Sequence, residues 1–154
     1  MKTAHVMDGY RILDFTQVVA GPTATRLMAE MGAEVIKVEL APLGDMTRYL
    51  PIQKNGRSSY FLQQNRGKKS LCVNPKKPAG MKILEGLVRR CDVLIENFAA
   101  GVIGRMGLSY KHVSALNPGI VMCSISGFGQ TGPLSTKPGY DFIADVPTAN
   151  DGNG

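Results

Sequence analysis

Apolar residues in the first third of the chain form blocks that predict a strand, a helix and a second strand. The block at residues 11–16 lies between a glycine and the Gly21-Pro22 pair, which is typical of a buried strand. Apolar residues then recur at helical spacing over residues 24–31, and we expect this helix to end at Gly32. Residues 34–39 predict the second strand. A strand–helix–strand order predicts parallel strands joined by a right-handed crossover.

Later blocks extend this alternation to five strands separated by helices. Further strands are predicted over residues 71–73, 92–98 and 120–126, and further helices from Pro78 onward and over residues 102–106 and 110–116. In the helix that begins at Pro78, the Arg89-Arg90 pair is predicted to occupy the last turn, where cations suit the helix dipole. The pattern therefore predicts an α/β fold with a mainly parallel sheet.

Composition and length are those of one globular domain. The chain has 154 residues, of which 44% are hydrophobic and 19% are charged, and this excludes a disordered or fibrous chain. The apolar pattern ends after Phe142, so we expect residues 1–144 to form the domain and residues 145–154 a flexible or non-homologous tail. No apolar run approaches the roughly 18 residues of a membrane span, and residues 1–10 do not resemble a secretory signal. We therefore expect a cytoplasmic protein without a membrane partner.

The cysteines and histidines give no sign of a metal or disulfide framework. Cys72, Cys91 and Cys123 stand far apart without Cys-x-x-Cys spacing, which excludes a zinc ribbon. We expect three small buried thiols in a reducing compartment. The two histidines, His5 and His112, do not cluster with other potential ligands, so no metal site is predicted.

Positive charge is concentrated in the middle of the chain. Lys and Arg number 18 against 12 Asp and Glu, and between Lys54 and Arg90 ten basic residues accompany a single acid, Glu85. Such a field attracts phosphates, whether of nucleic acid, an anionic membrane or a phosphorylated cofactor. The aromatic residues do not alternate with the basic ones as a base-stacking platform would, so nucleic acid is the less favoured partner.

Small and polar residues follow the predicted strands at their carboxyl ends, where open parallel sheets bind ligands. Residues 17–22 follow the first strand, and small side chains there would let an anion approach the free amides of the next helix. Asn97 and Phe98 follow a later strand, with Arg105 one short helix further on, and a glycine-rich segment at residues 127–132 follows the last. Together these residues predict a cleft that accepts phosphate.

Several common catalytic motifs are excluded. The segment at residues 127–132 formally matches the Gly-x-Gly-x-x-Gly dinucleotide fingerprint, but Pro133 and Pro138 stand where the motif needs a helix. No Walker loop is present. The chain also lacks a Gly-x-Ser-x-Gly elbow, so a Ser-His-Asp triad has little support.

Eight motifs in the same order resemble the N-terminal part of the family III CoA-transferases, the CaiB/BaiF family that includes formyl-CoA:oxalate CoA-transferase. They lie at residues 9–22, 31–39, 44–48, 65–70, 92–98, 105–108, 126–133 and 139–141. Each motif alone is weak, but their shared order is specific. The resemblance implies a Rossmann-like domain in an enzyme that moves CoA from an acyl-CoA to a small carboxylic acid, with no permanently bound cofactor. It also implies an interlaced homodimer for the full-length form.

By this resemblance, CoA contacts a defined set of residues. The set is Val19, Ala20, Val73, Asn74, Lys76, Asn97, Phe98, Arg105, Met106, Tyr140 and Asp141. Arg105 is expected to pair with a CoA phosphate, to which a guanidinium fork is suited. Many members of the family carry a basic residue directly after the acid that matches Glu39, where this chain has Leu40.

The family's catalytic aspartate, which attacks the donor thioester, is expected beyond Gly154. We therefore expect this chain to be an N-terminal fragment or truncated product that is inactive alone. The related α-methylacyl-CoA racemases have a histidine where this chain has Tyr140, so the resemblance favours a transferase over a racemase. Two other interpretations stay open: a non-catalytic CoA- or nucleotide-binding module, and a chain that folds poorly because lost strands expose a sheet edge.

Overall fold

The computed structural model describes residues 5–137 and Gly139. The strands are β1 (Arg11–Asp14), β2 (Glu34–Leu40), β3 (Gln53–Lys54), β4 (Arg57–Ser58), β5 (Lys69–Val73), β6 (Val93–Glu96) and β7 (Val121–Ser124). The α-helices are α1 (Ala20–Glu30), α2 (Ser59–Asn65), α3 (Pro78–Val88), α4 (Val102–Arg105) and α5 (Tyr110–Leu116), and a 3₁₀ helix spans Met46–Tyr49. Among the helices of these described residues, none combines the length and the apolar character that crossing a membrane requires.

Five strands form one sheet in the order β5-β2-β1-β6-β7, and all four neighbouring pairs are parallel. Ile12 at the centre of the sheet pairs with Val35 of β2 and Val93 of β6. The predicted α/β fold with a parallel sheet and flanking helices is confirmed. Because every strand runs in the same direction, the carboxyl ends of all five lie along one edge of the sheet.

The two faces of the sheet are buried by different helices, because successive side chains of a strand point to opposite faces. Ile12 belongs to an apolar cluster with Val35 and Ile95, against which Met28 and Ala29 of α1 pack. Leu13 belongs to a larger cluster on the other face. That cluster is completed by α3, α4 and α5, which contribute Leu84, Val88, Ile103 and Val113.

Several predicted boundaries were wrong in ways that matter for the site. β1 ends at Asp14, because the Asp14 carboxylate accepts hydrogen bonds from both the amide and the hydroxyl of Thr16 and turns the chain. α1 begins four residues earlier than predicted, at Ala20. β6 ends at Glu96, so Asn97 and Phe98 belong to the loop that follows.

At the other end of the sheet, α3 ends at Val88. Arg89 and Arg90 therefore follow the helix. The pattern had predicted them in its last turn, and that prediction is wrong. The last strand is also shorter than predicted and covers only Val121–Ser124.

Only part of the predicted apolar face of α1 is buried, where Met28 packs into the core. The helical spacing of the apolar residues over 24–31 predicted a buried apolar face, but Leu27 and Met31 are 47% and 42% exposed. The buried residues are Gly21, Pro22 and Thr25. These small side chains let the helix lie close to the end of β1, where the Thr25 hydroxyl donates to the Asp14 carboxylate at 2.7 Å.

The prediction of three buried thiols is wrong for two of the cysteines. Cys91 is buried, and burial raises the pKa of its thiol to about 11. Cys72 and Cys123 are exposed. They lie on the two edge strands next to Val73 and Met122, which pack into the core, so strand alternation turns both cysteines to the opposite face.

Candidate functional site

A buried ion pair lies beneath the carboxyl edge of the sheet and fixes the start of α1. The Lys68 ammonium donates to the Asp14 carboxylate at 3.0 Å, to the Pro22 carbonyl at 3.0 Å and to the Asn65 side chain at 2.9 Å. The Lys68 and Asp14 side chains are 1% and 0% exposed. Burial lowers the pKa of Lys68, although the neighbouring Asp14 carboxylate opposes this shift. Lys68 thereby ties the end of β1 to the first turn of α1.

A second buried pair holds the loops that follow β1 and β2. Lys37 Nζ lies 2.8 Å from a carboxylate oxygen of Asp45, and both side chains are almost fully buried. The same ammonium donates to the Thr16 carbonyl at 2.8 Å. The residues that lead from β1 toward α1 are therefore fixed by charged side chains of neighbouring elements.

Glu39 ends the polar network on the β5 side of the sheet. Two guanidinium nitrogens of Arg48 each donate to it at 2.6 Å, and the Ser70 hydroxyl donates at 2.6 Å. Burial opposes ionisation of Glu39 more strongly than any single neighbour favours it. The hydrogen bonds from Arg48, Ser70 and the Asp45 amide together nevertheless hold its pKa at about 2, below the usual 4.5. Arg48 also lies 3.7 Å from the centroid of the Phe61 ring.

Replacing Glu39 by glutamine should remove a pH-dependent part of the stability. A depressed carboxylate pKa contributes stability that is complete above the unfolded pKa of 4.5 and is lost as the pH falls toward about 2. At pH 7 we expect Glu39→Gln to cost about 1–2 kcal/mol, because solvent around the part-exposed Arg48 screens the pair. Urea unfolding of both proteins from pH 7 to about 2 measures this. If the difference in free energy of unfolding between the two proteins stays constant over that range, ionised Glu39 does not stabilise the fold as argued.

Two clefts open along the carboxyl edge. The first, which we call the basic cleft, has a volume of about 680 Å³. It is lined by Leu40, Ala41, Pro42, Asn74, Pro75, Lys76, Val102, Arg105 and Met106. This lining contains two cations and no acid, and within the described part of the chain no carboxylate lies within ion-pair distance of Arg105 or Lys76.

The turn after β5 gives the basic cleft one of its walls. The Asn74 side chain accepts a hydrogen bond from the Lys76 amide at 2.9 Å, and the Asn74 carbonyl accepts from the Lys77 amide at 3.2 Å. These bonds fix the turn that contains Lys76, which lines the cleft. Arg105 reaches the same cleft from the last residue of α4.

The second cleft, which we call the small-residue cleft, has a volume of about 360 Å³. It is lined by Ala20, Asn97, Phe98, Ala99, Ala100, Ile125, Ser126, Gly127, Ser135, Lys137 and Gly139. The backbones of Gly127 and Gly139 approach closely, since a Cβ atom on Gly127 would lie 2.5 Å from the Gly139 Cα. Lys137 was not among the predicted contacts, because an isolated lysine in a loop carries no sequence signal.

The structure places the predicted CoA contacts in different surroundings. Asn74, Lys76, Arg105 and Met106 line the basic cleft, whereas Ala20, Asn97 and Phe98 line the small-residue cleft. Val19 is 43% exposed and lines neither cleft. Val73 has its side chain in the core, and its carbonyl accepts a hydrogen bond from the Ala41 amide at 3.0 Å. Tyr140, Asp141 and the predicted tail at 145–154 lie outside the described residues.

Several basic residues between Lys54 and Arg90 are paired with acids, so the run presents less free positive charge than its composition suggests. Lys68 is buried against Asp14, Arg66 pairs with Glu30 at 2.6 Å, and Lys69 pairs with Glu34 at 2.5 Å. All three partners lie outside the run.

Over residues 5–137 and Gly139, no group of three His, Cys, Asp or Glu side chains is placed to hold a metal ion.

Known proteins resemble this chain over most of its length. A family model described as CoA-transferase family III matches residues 7–149. The chain is 50% identical over 141 residues to succinyl-CoA:glutarate CoA-transferase of Mus musculus, which covers 91% of this chain and 32% of that protein. It is 44% identical over 142 residues to formyl-CoA:oxalate CoA-transferase of Afipia carboxidovorans, covering 92% of this chain and 33% of that protein.

A solved structure shows the same similarity. A CAIB/BAIF family protein from Brucella suis superposes with a TM-score of 0.85 at 38% identity, covering 92% of this chain and 38% of that one. The chain thus spans about a third of the length of the curated relatives that it matches.

Proposed function

Because the family model matches residues 7–149, the chain belongs to CoA-transferase family III, and we propose that it forms the CoA-binding N-terminal part of an enzyme that moves CoA from an acyl-CoA donor to a carboxylic acid. The resemblance of the eight sequence motifs to this family is confirmed. The strand order β5-β2-β1-β6-β7 corresponds to the first five strands of a doubly wound nucleotide-binding sheet, which supports the Rossmann-like assignment.

The observation that carries the proposal is the basic cleft. CoA is an adenine nucleotide with a pyrophosphate and a 3′-phosphate, and it needs cations that no acid has neutralised. Among the described residues, Arg105 and Lys76 have no acid partner, and they line one cleft from two different elements. A guanidinium can hold two phosphate oxygens at once, so we assign Arg105 to a phosphate of CoA.

The small-residue cleft suits another part of the same molecule. Alanine and glycine line it together with Phe98, and a narrow, flexible pantetheine arm fits among such short side chains. The two clefts share the segment between β6 and the end of α4, since Asn97 and Phe98 line one and Arg105 lines the other. We therefore assign the small-residue cleft to the thioester-bearing arm of CoA.

We also propose an acceptor acid and a position for the nucleophile. Both relatives are named for a dicarboxylate, glutarate or oxalate, and we propose a small dicarboxylic acid as the acceptor here. We place the carboxylate nucleophile beyond Gly154, in keeping with the resemblance. A cytoplasmic location, an interlaced homodimer of the complete polypeptide, and the absence of a resident cofactor and of membrane or nucleic-acid partners belong to the same proposal.

Replacing Arg105 by alanine tests the assignment of the basic cleft. We expect the Kd for CoA, measured by isothermal titration calorimetry, to rise at least about 10-fold, because a charge-assisted and potentially bidentate contact is lost. Arg105→Lys should lose only about 3-fold, because it keeps the charge but not the fork. Arg90 is exposed at the opposite edge of the sheet, and Arg90→Ala is the matched control, with a change of less than about 2-fold. Equal losses for Arg105→Ala and Arg90→Ala would show that only net charge matters.

Transfer activity separates an enzyme from a binding module. The complete polypeptide from the native gene is incubated with succinyl-CoA and glutarate, or with formyl-CoA and oxalate, and the new thioester is detected by mass spectrometry. Formation of glutaryl-CoA or oxalyl-CoA supports the transferase. If CoA binds but is transferred from neither donor, the result would favour the non-catalytic CoA-binding module.

A further inference from the structure

Asn97 is bonded to the loop between β1 and α1 through both ends of its side-chain amide. Its oxygen accepts a hydrogen bond from the Gln17 amide at 2.7 Å, and its nitrogen donates to the Gln17 carbonyl at 2.8 Å. A backbone amide can only donate and a carbonyl can only accept, so the orientation of the Asn97 amide is fixed. The two residues are 80 positions apart in the chain, and the contact joins the loops that follow β1 and β6.

The residue that follows Gln17 has a strained backbone. Val18 has a φ of +67°, in the left-handed region that β-branched residues rarely adopt. Asn55, in a hairpin turn, is the other non-glycine residue with positive φ in the described part of the chain, and asparagine tolerates this conformation. A strained conformation of this kind persists only where surrounding contacts impose it. Here Thr16 is held by Asp14 and Lys37, and Gln17 is held by Asn97.

Backbone amides without protein partners follow the strained residue. No described residue accepts a hydrogen bond from the amides of Val19, Ala20 or Gly21, and α1 has no side-chain N-cap. Ala20 lines the small-residue cleft together with Asn97. The conformation of Val18 therefore decides where these amides point.

We propose that Asn97 is a positioning residue: its side chain holds Gln17, and through Gln17 the left-handed Val18, so that the amides of residues 19–21 face the bound acyl-CoA. The inference rests on the proposed function and refines it, because Asn97 contributes through the β1–α1 loop and not through a bond of its side chain to CoA. The loop is then preorganised before the ligand arrives, which lowers the entropy lost on binding.

A double-mutant cycle in the complete polypeptide tests this role, with the Kd for CoA as the readout. We expect Asn97→Ala to raise Kd about 10-fold, because two hydrogen bonds that order the loop are lost. Glycine adopts a φ of +67° without strain, so in a Val18→Gly background the loop needs less restraint. The same Asn97→Ala change should then raise Kd by about 3-fold or less. Fully multiplicative effects would show direct contact between Asn97 and CoA and would overturn the proposal.

Asn117 provides the matched control. Its side chain also bonds backbone groups, since its nitrogen donates to the Val88 carbonyl at 3.0 Å and to the Cys91 carbonyl at 2.8 Å, but it lies at the opposite edge of the sheet. Asn117→Ala should lower the unfolding midpoint and leave the Kd for CoA within about 2-fold. If Asn117→Ala weakens CoA binding as much as Asn97→Ala does, a general loss of stability explains both, and the proposal is overturned.

Amide hydrogen exchange without ligand distinguishes failure of this inference from failure of the proposed function. Asn97→Ala should speed exchange of the amides of Thr16 and Gln17, which are bonded to Asp14 and Asn97, while leaving those of α5 unchanged. Unchanged exchange at Thr16 and Gln17 would overturn the loop role of Asn97 even if CoA binds. If the wild-type protein does not bind CoA, the proposed function fails and the ligand role of Asn97 fails with it, whatever the exchange rates show.

Discussion

Replacing Lys68 by methionine is expected to destabilise the fold by about 3–5 kcal/mol, because it leaves the Asp14 carboxylate buried without its cation. Methionine has a similar length and removes the three hydrogen bonds to Asp14, Pro22 and Asn65. With 1% and 0% exposure, neither side chain of the pair can be rehydrated without opening the protein. Urea unfolding at neutral pH, followed by circular dichroism, measures the loss.

The neighbouring lysine supplies the control. Lys69 makes an ion pair with Glu34, but its side chain is 71% exposed. Lys69→Met should leave the unfolding midpoint within measurement error, since exposed pairs contribute little. If the two methionine variants unfold at the same denaturant concentration, the buried pair does not contribute as argued. In that case Asp14→Asn, which removes the unpaired charge, should also restore no stability in the Lys68→Met background.

The sequence predicted the sheet well because its strands are local apolar blocks. β1, β2 and the turn at Gly32 follow from residues that are neighbours in the chain, and Pro78 marks the start of α3 where the structure has it. The boundaries failed where a tertiary contact decides them. Asp14 turns the chain after β1 through its bonds to Thr16. The buried residues of α1 are small ones, and Leu27 and Met31 are not among them. Helical spacing predicts which residues share an apolar face, but it does not predict how closely the helix packs against the sheet.

The candidate site was predictable only as a set of loops. Strand ends at one edge of a parallel sheet must lie together, so Asn97, Arg105 and the residues around Ala20 could be assigned to one region. Their division between two clefts depends on how the segment between β6 and α4 is folded, and no spacing in the sequence shows that. The buried Lys68–Asp14 pair joins residues 54 positions apart, and a lysine in a basic run looks exposed from sequence alone.

The buried charges and the site belong to one arrangement. Lys68 and Asp14 fix the start of α1, Lys37 fixes Thr16, and Asn97 fixes Gln17. The Phe15 amide also donates to the Ile95 carbonyl, so every residue from the end of β1 to Gln17 is bonded to another element. The chain then reaches α1 through the strained Val18 and through Val19. Apolar residues can often replace a buried ion pair without loss of stability, so we infer that these pairs are retained here because they hold one conformation of the loop.

Gly80→Ala is the second substitution with a large expected effect, because Gly80 is where α3 meets the wall of the basic cleft. A Cβ atom at this buried position would overlap the Asn74 carbonyl oxygen and lie 2.8 Å from the Asn74 carbonyl carbon and 3.2 Å from a Val73 methyl. Backbone cannot move aside as a side-chain tip can. We expect a loss of about 2–3 kcal/mol in the free energy of unfolding.

The same helix contains the matched control, since nothing lies within 4 Å of a Cβ atom built on the exposed Gly86. Gly86→Ala should stabilise the protein by about 0.5–1 kcal/mol, because alanine loses less backbone entropy in a helix. In urea unfolding, we therefore expect the same chemical change at two positions of one helix to shift the free energy of unfolding in opposite directions. Because displacement of Asn74 also moves Lys76, Gly80→Ala should weaken CoA binding, and Gly86→Ala should not. Shifts of the same sign would mean that the turn after β5 yields to the new methyl group, and that the wall of the basic cleft is not fixed by α3.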